Sequence, residues 1–157
     1  MKAQLILEFV IASILFFGIL LYTINYVNSN VADFRTKAYQ NYLQTKALEI
    51  SEILMNKESS LSLIDDYGFN VTKINKFNET YCNLGAQYKK LVEVLNLYKE
   101  TESIPIHNDI RMEIFDVENS HVLLSCGPEV PRNVGKVEIT RVGLCEGFLC
   151  TLRIVVW

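Results

Sequence analysis

Basic residues are neither numerous nor clustered in this chain: 15 Lys and Arg stand against 18 Asp and Glu, for a formal charge of −3. A protein whose main partner is nucleic acid needs a basic patch or stripe, so that class is excluded. There is no low-complexity tract and no internal repeat, which excludes a disordered segment and a solenoid. Proline is scarce, at three residues, and histidine scarcer, at two. His107 follows Pro105 and His121 sits beside a turn, so both read as surface residues. No Ser or Cys lies in a nucleophile signature and no glycine loop suits a phosphate, so no enzyme is expected. Asp65-Asp66 reads as a solvated loop rather than a catalytic carboxylate pair. With no C-x-x-C spacing among the four cysteines, no metal site and no cofactor are expected. At 157 residues, the chain has room for one small domain and an appendage.

What is present is an uneven distribution of apolar residues. Residues 9–24 (FVIASILFFGILLYTI) carry no charge, and extending back through Leu5, Ile6 and Leu7 adds a break only at Glu8. About twenty apolar residues make roughly 30 Å of helix, enough to cross a hydrocarbon core. Such a helix is apolar all round and does not suit the surface of a small soluble domain. A cleaved secretory signal fits poorly, because its basic region would be Lys2 alone and no small-x-small pair closely follows the run. A carboxylate within the bilayer costs about 2.5–3.5 kcal/mol, unless it sits near the helix end and reaches the interface. Lys2 and the initiating amine precede the span while Arg35 and Lys37 follow it, so the charge bias does not itself favour an outside C-terminal domain.

The segment Lys2-Ala3-Gln4-Leu5-Ile6-Leu7-Glu8-Phe9 resembles the class III signal peptides of archaeal type IV pilin-like proteins. The resemblance covers the first quarter of the chain. It departs from the usual pattern at Ala3, where Gly is commoner, and at Ile6, where a small polar residue is frequent. It implies that a prepilin peptidase cuts between Ala3 and Gln4 on the cytoplasmic side, leaving the apolar helix on the mature protein. It implies also that Glu8, then the fifth mature residue, sets subunit register during assembly.

After Asn25 the sequence becomes polar but keeps helical spacing. Val27, Val31, Phe34, Ala38 and Tyr42 form one stripe, and Leu43, Ala47, Ile50 and Leu54 a second beside it. No Gly or Pro interrupts residues 19–67, so one helix from about residue 5 to residue 55 is predicted, its stripes packing on the globular part. Residues 56–72 read as a loop with a short helical turn at 61–65. A second helix follows over 75–98, capped by Asn75 or Asn78, with Phe77, Tyr81, Leu84, Tyr88, Leu91, Leu95 and Tyr98 on its core face. Gly85 lies inside it without breaking the pattern. From Asp109 the period becomes two: residues 110–114, 121–126, 136–142 and 148–157 read as strands, with a turn at Glu118-Asn119-Ser120 and short connections. The expected fold class is α+β, with helices first and then an antiparallel meander of about four strands.

Cys82, Cys126, Cys145 and Cys150 allow three pairings, of which Cys145 with Cys150 and Cys82 with Cys126 are favoured. A zinc site and buried free thiols are the alternatives. Asn70-Val71-Thr72 and Asn78-Glu79-Thr80 are sequons, which become glycosylation candidates only if the head lies outside the cell. The expected organisation is a leader at 1–3, a transmembrane or filament-core helix at 4–27, and an extracytoplasmic α+β head at 28–157, comprising a helix at 28–56, the helix at 75–98 and a sheet at 109–157. By the resemblance, the expected partners are membrane lipid, a prepilin peptidase and other pilin subunits, in the cell membrane and then in a surface filament. The alternative is a single-pass, membrane-anchored extracytoplasmic binding domain that does not polymerise.

Overall fold

The computed structural model describes residues 2–99, 106–118 and 121–157. Its first element is the α-helix α1 (Lys2–Leu54), unbroken, with no Gly or Pro between residues 19 and 67 to interrupt it. Two compact units divide the chain, 1–39 and 40–157. The first consists of the apolar part of α1 and the polar turns that follow it. The second is the head, which holds the hydrophobic core.

In the head, Leu43, Ala47, Ile50 and Leu54 are fully buried, so the second stripe is the face of α1 that covers the sheet. Each large aliphatic side chain of that face contributes about 1.5–3 kcal/mol by leaving water. Val27, Val31 and Phe34 of the first stripe remain exposed, contrary to the expectation that both stripes pack. Residues 56–72 hold more than a loop. β1 (Ile64–Asp65) and β2 (Gly68–Phe69) pair antiparallel, Ile64 opposite Phe69, where a helical turn was expected.

The helix expected over 75–98 is two helices, α2 (Val71–Tyr81) and α3 (Ala86–Val94). Asn70, not Asn75 or Asn78, caps the first: its side-chain oxygen accepts the Lys73 N–H at 3.0 Å. Gly85 separates them with φ +122° and ψ −132°, a conformation outside the helical region that only glycine adopts without strain. The aromatic stripe continues across the break because both helices pack on the core through Phe77, Tyr88, Leu91 and Leu95, while Leu84 at the break is exposed. The Tyr88 hydroxyl accepts the Ile110 N–H at 3.1 Å and lies 3.1 Å from the Asp109 carboxylate, tying α3 to the first long strand. Tyr98 lies beyond the helix, in β3 (Tyr98–Lys99), which pairs with β4 (Ile106–His107).

The sheet is mixed and six-stranded, ordered β1-β2-β7-β8-β5-β6, with β5 (Ile110–Asp116), β6 (His121–Cys126), β7 (Val137–Cys145) and β8 (Phe148–Val156). Its four long strands pair antiparallel with their neighbours, but β2 joins β7 in parallel, Phe69 opposite Cys145. The architecture is therefore α+β, with a sheet larger and less regular than four antiparallel strands. The turn expected at residues 118–120 lies outside the described residues at Asn119 and Ser120. The four long strands are also not a meander. β8 is apolar on its core face through Leu152, Ile154 and Val156 and buries Val155 on the other. Residues 127–136, with Gly127, Pro128 and Pro131, carry the chain across the sheet and leave β8 between β5 and β7.

Candidate functional site

In unit 1, α1 presents an apolar surface with one ionisable interruption. Its most apolar 18-residue window has a mean hydropathy of 2.3 and none of it is buried, so this helix is long and apolar enough to cross a membrane. Phe9, Phe16, Phe17, Leu21 and Tyr22 are all more than half exposed. Glu8 is exposed among them and has no side-chain partner among the described residues. Ala3 and Gln4 belong to the first turn of α1, and Met1 of the expected leader lies outside the described residues. A carboxylate on an otherwise apolar helix can be neutralised there by a cation from another chain, by a headgroup at the interface, or by a proton.

In the head, both cysteine pairs are closed: Cys82–Cys126 joins the end of α2 to β6, and Cys145–Cys150 staples the β7–β8 hairpin. These are the pairings favoured from the sequence. No group of three metal-ligating side chains occurs among the described residues. Of the two sequons, Asn70 has both ends of its amide engaged, capping α2 and donating to the Asp65 carboxylate at 2.9 Å. Asn78 is exposed on α2 and has no side-chain hydrogen bond among the described residues.

The outer face of the sheet carries a ladder of alternating charge across the three strands β5, β8 and β7. Arg111 Nε donates to Glu113 at 3.1 Å, Arg153 Nη1 donates to Glu113 at 3.3 Å, and Arg153 Nε and Nη2 grip Glu138 at 2.8 and 2.9 Å. Arg111 also donates to the Gly127 carbonyl and the Ser125 hydroxyl, reaching β6. The Arg153 fork holds the Glu138 carboxyl below the ordinary range for a glutamate. This ladder was not read from the sequence, although the outward positions 111, 113, 138 and 153 of the expected strands carry alternating signs. Further along the same face Val142, Leu144, Leu149 and Val122 are exposed, with Leu144 directly opposite Leu149.

Among the clefts of the head, two involve the segment between α1 and α2. In one, of about 380 Å³, Ser59 and Ser62 face Lys73, Lys76 and Tyr81 of α2. Much of its hydrogen-bonding capacity is spent within the fold. Ser62 bonds both polar groups of Ile64, and Lys73 Nζ donates to the Ile64 carbonyl at 2.6 Å. The other, of about 460 Å³, lies between the β1–β2 turn and the β7–β8 turn. Comparison of the chain with protein-family models, with characterised proteins and with solved structures gives no match.

Proposed function

We propose that this chain is a pilin-like subunit of an archaeal surface filament, serving adhesion or surface display. A prepilin peptidase removes residues 1–3. The apolar turns of α1 hold the subunit in the membrane and later pack against those of other subunits, and the head faces outward. The observation that carries this reading is the Lys2–Glu8 segment at the start of a helix whose apolar surface is bare. Catalysis has no part in it.

The chemistry gives Glu8 a task. Cleavage before Gln4 creates an amine at the start of an apolar helix. Within a packed helical core an unpaired amine and an unpaired carboxylate are each costly. Glu8 of one subunit neutralises the amine of its neighbour in one axial register, so the pair specifies alignment more than it adds net stability. Cyclisation of the new N-terminal glutamine would reduce this ion pair to a hydrogen bond. The test is Glu8→Gln in cells that assemble the parent protein: filaments are lost or misaligned while the protein still reaches the membrane. Filaments as abundant as the parent's would remove the register mechanism.

The exposed Val27, Val31 and Phe34 favour this reading over a simple anchor. An anchor needs about twenty apolar residues. Here the stripe continues past the apolar run at 9–24, on turns that carry Asn25, Asn28, Ser29, Asn30 and Asp33 and are too polar for the hydrocarbon core, and a second helix would cover it.

A further inference from the structure

We propose that the cleft between the β1–β2 and β7–β8 turns binds neutral hexose units of a surface glycan, with Tyr67 as the stacking platform. Tyr67 is 89% exposed, the most exposed of the large apolar side chains among the described residues. No packing in the head requires it there. It occupies the two-residue turn with Asp66, between the Asp65–Gly68 pair of the hairpin.

The turn that carries it is fixed. The Asp65 carboxylate accepts the Tyr67 N–H at 2.9 Å and the Asn70 amide at 2.9 Å. Gly68, at φ +128°, lies so close to β7 that a Cβ would sit 2.4 Å from the Leu144 carbonyl oxygen. On the opposite wall, Glu146 sits in the β7–β8 turn at φ +50°, inside the hairpin that Cys145–Cys150 closes. The backbone that carries the ring is therefore held in place before any ligand arrives, and only the two side-chain torsions of the tyrosine remain to be fixed on binding.

The lining names the ligand class. Asp65, Asn70, Thr72 and Glu146 line the cleft together with Tyr67 and the half-exposed Leu144. Carboxylate and amide oxygens accept from hydroxyl groups, and the aromatic face covers the apolar C–H face of a pyranose ring. Glu146 and Thr72 have no side-chain hydrogen bond among the described residues. No Lys or Arg lines the cleft, while Asp65 and Glu146 do. Uronic acids, sialic acids and phosphorylated sugars are repelled by like charge, and neutral hexoses are not. One head suffices for this contact, so binding is independent of polymerisation.

The test uses the full chain in detergent micelles with ring-labelled tyrosine. It is titrated with neutral glucose and mannose trisaccharides and, separately, with trigalacturonate. At least one neutral trisaccharide is expected to shift the Tyr67 ring signals with a dissociation constant on the order of 1 mM or tighter. Tyr67→Ala should weaken that binding about tenfold or more, and Tyr67→Trp should keep it. Glu146→Gln should admit trigalacturonate. Because Tyr67 and Glu146 are both solvent-exposed, all three variants should melt with the parent, which separates lost binding from lost folding. No shift with either neutral trisaccharide, unchanged affinity in Tyr67→Ala, or preferential binding of trigalacturonate by the parent would each overturn the assignment. None of these outcomes bears on leader cleavage or assembly.

Discussion

Arg141 Nε donates to Ser51 Oγ at 2.6 Å, joining β7 to the part of α1 that lies in the head across 90 residues of sequence. Ser51 is fully buried between Ile50 and Leu54, and Arg141 occupies a core-facing position of its strand. The Ser51 hydroxyl is buried and Arg141 half-buried, so removing the serine oxygen takes an acceptor away from a partly desolvated guanidinium.

Ser51→Ala should therefore destabilise the head by about 1–3 kcal/mol. Arg141→Met should partly restore stability in the Ser51→Ala background, because it removes the stranded donor and retains the apolar stem. Chemical denaturation of the four proteins in a double-mutant cycle measures this. Additive losses would show that the two residues act independently.

The two disulfides should differ in weight. Cys82–Cys126 spans 44 residues of sequence and Cys145–Cys150 spans five. Loop-closure entropy assigns them about 4 and about 2 kcal/mol respectively. Replacing Cys82 and Cys126 with serine should lower the melting temperature more than replacing Cys145 and Cys150. A reversed order would place the stabilisation in something other than chain entropy.

Gly85 and Gly135 both have open space where a Cβ would go, but only Gly85 has a positive φ. Gly85→Ala should cost about 1–3 kcal/mol, purely as backbone strain, and Gly135→Ala should stay within about 0.5 kcal/mol. Equal effects on thermal unfolding would contradict the break between α2 and α3.

Acid should weaken the head through identifiable carboxyls. The Tyr67 N–H and the Asn70 amide hold Asp65 below its ordinary value, and the Arg153 fork does the same for Glu138. A depressed folded-state value means that the contribution is fully present above the ordinary carboxylate range. It is lost as the pH falls through the depressed value. Glu138→Gln should lower stability near neutrality and flatten its decline in acid, followed by thermal unfolding from about pH 7 to about pH 2. An unchanged acid slope would remove Glu138 from the account.

The helical and strand periods carried most of this fold. Leu43, Ala47, Ile50 and Leu54 were legible as a buried face because four apolar residues at spacings of four and three leave little else for them to do. The strand positions were legible for the same reason, in period two. Strand order was not, because a ten-residue connection containing Pro128 and Pro131 reads alike whether it turns back or crosses the sheet. The β1–β2 hairpin was missed because two-residue strands have no period. The break at Gly85 was missed because both helices face the same core and so continue one stripe. At the N-terminus, the Lys2–Glu8 segment was legible as a resemblance to a processed leader. Tyr67 carried no signal at all, since exposure of one aromatic residue in a polar loop is a property of the folded chain.

The most direct measurement is the intact mass and N-terminal peptide of the protein recovered from native membranes. A chain beginning at Gln4 or its cyclised form, with the apolar helix retained, is what the pilin-like reading predicts. A chain beginning at Met1 would contradict it and leave α1 as a simple membrane anchor for the head.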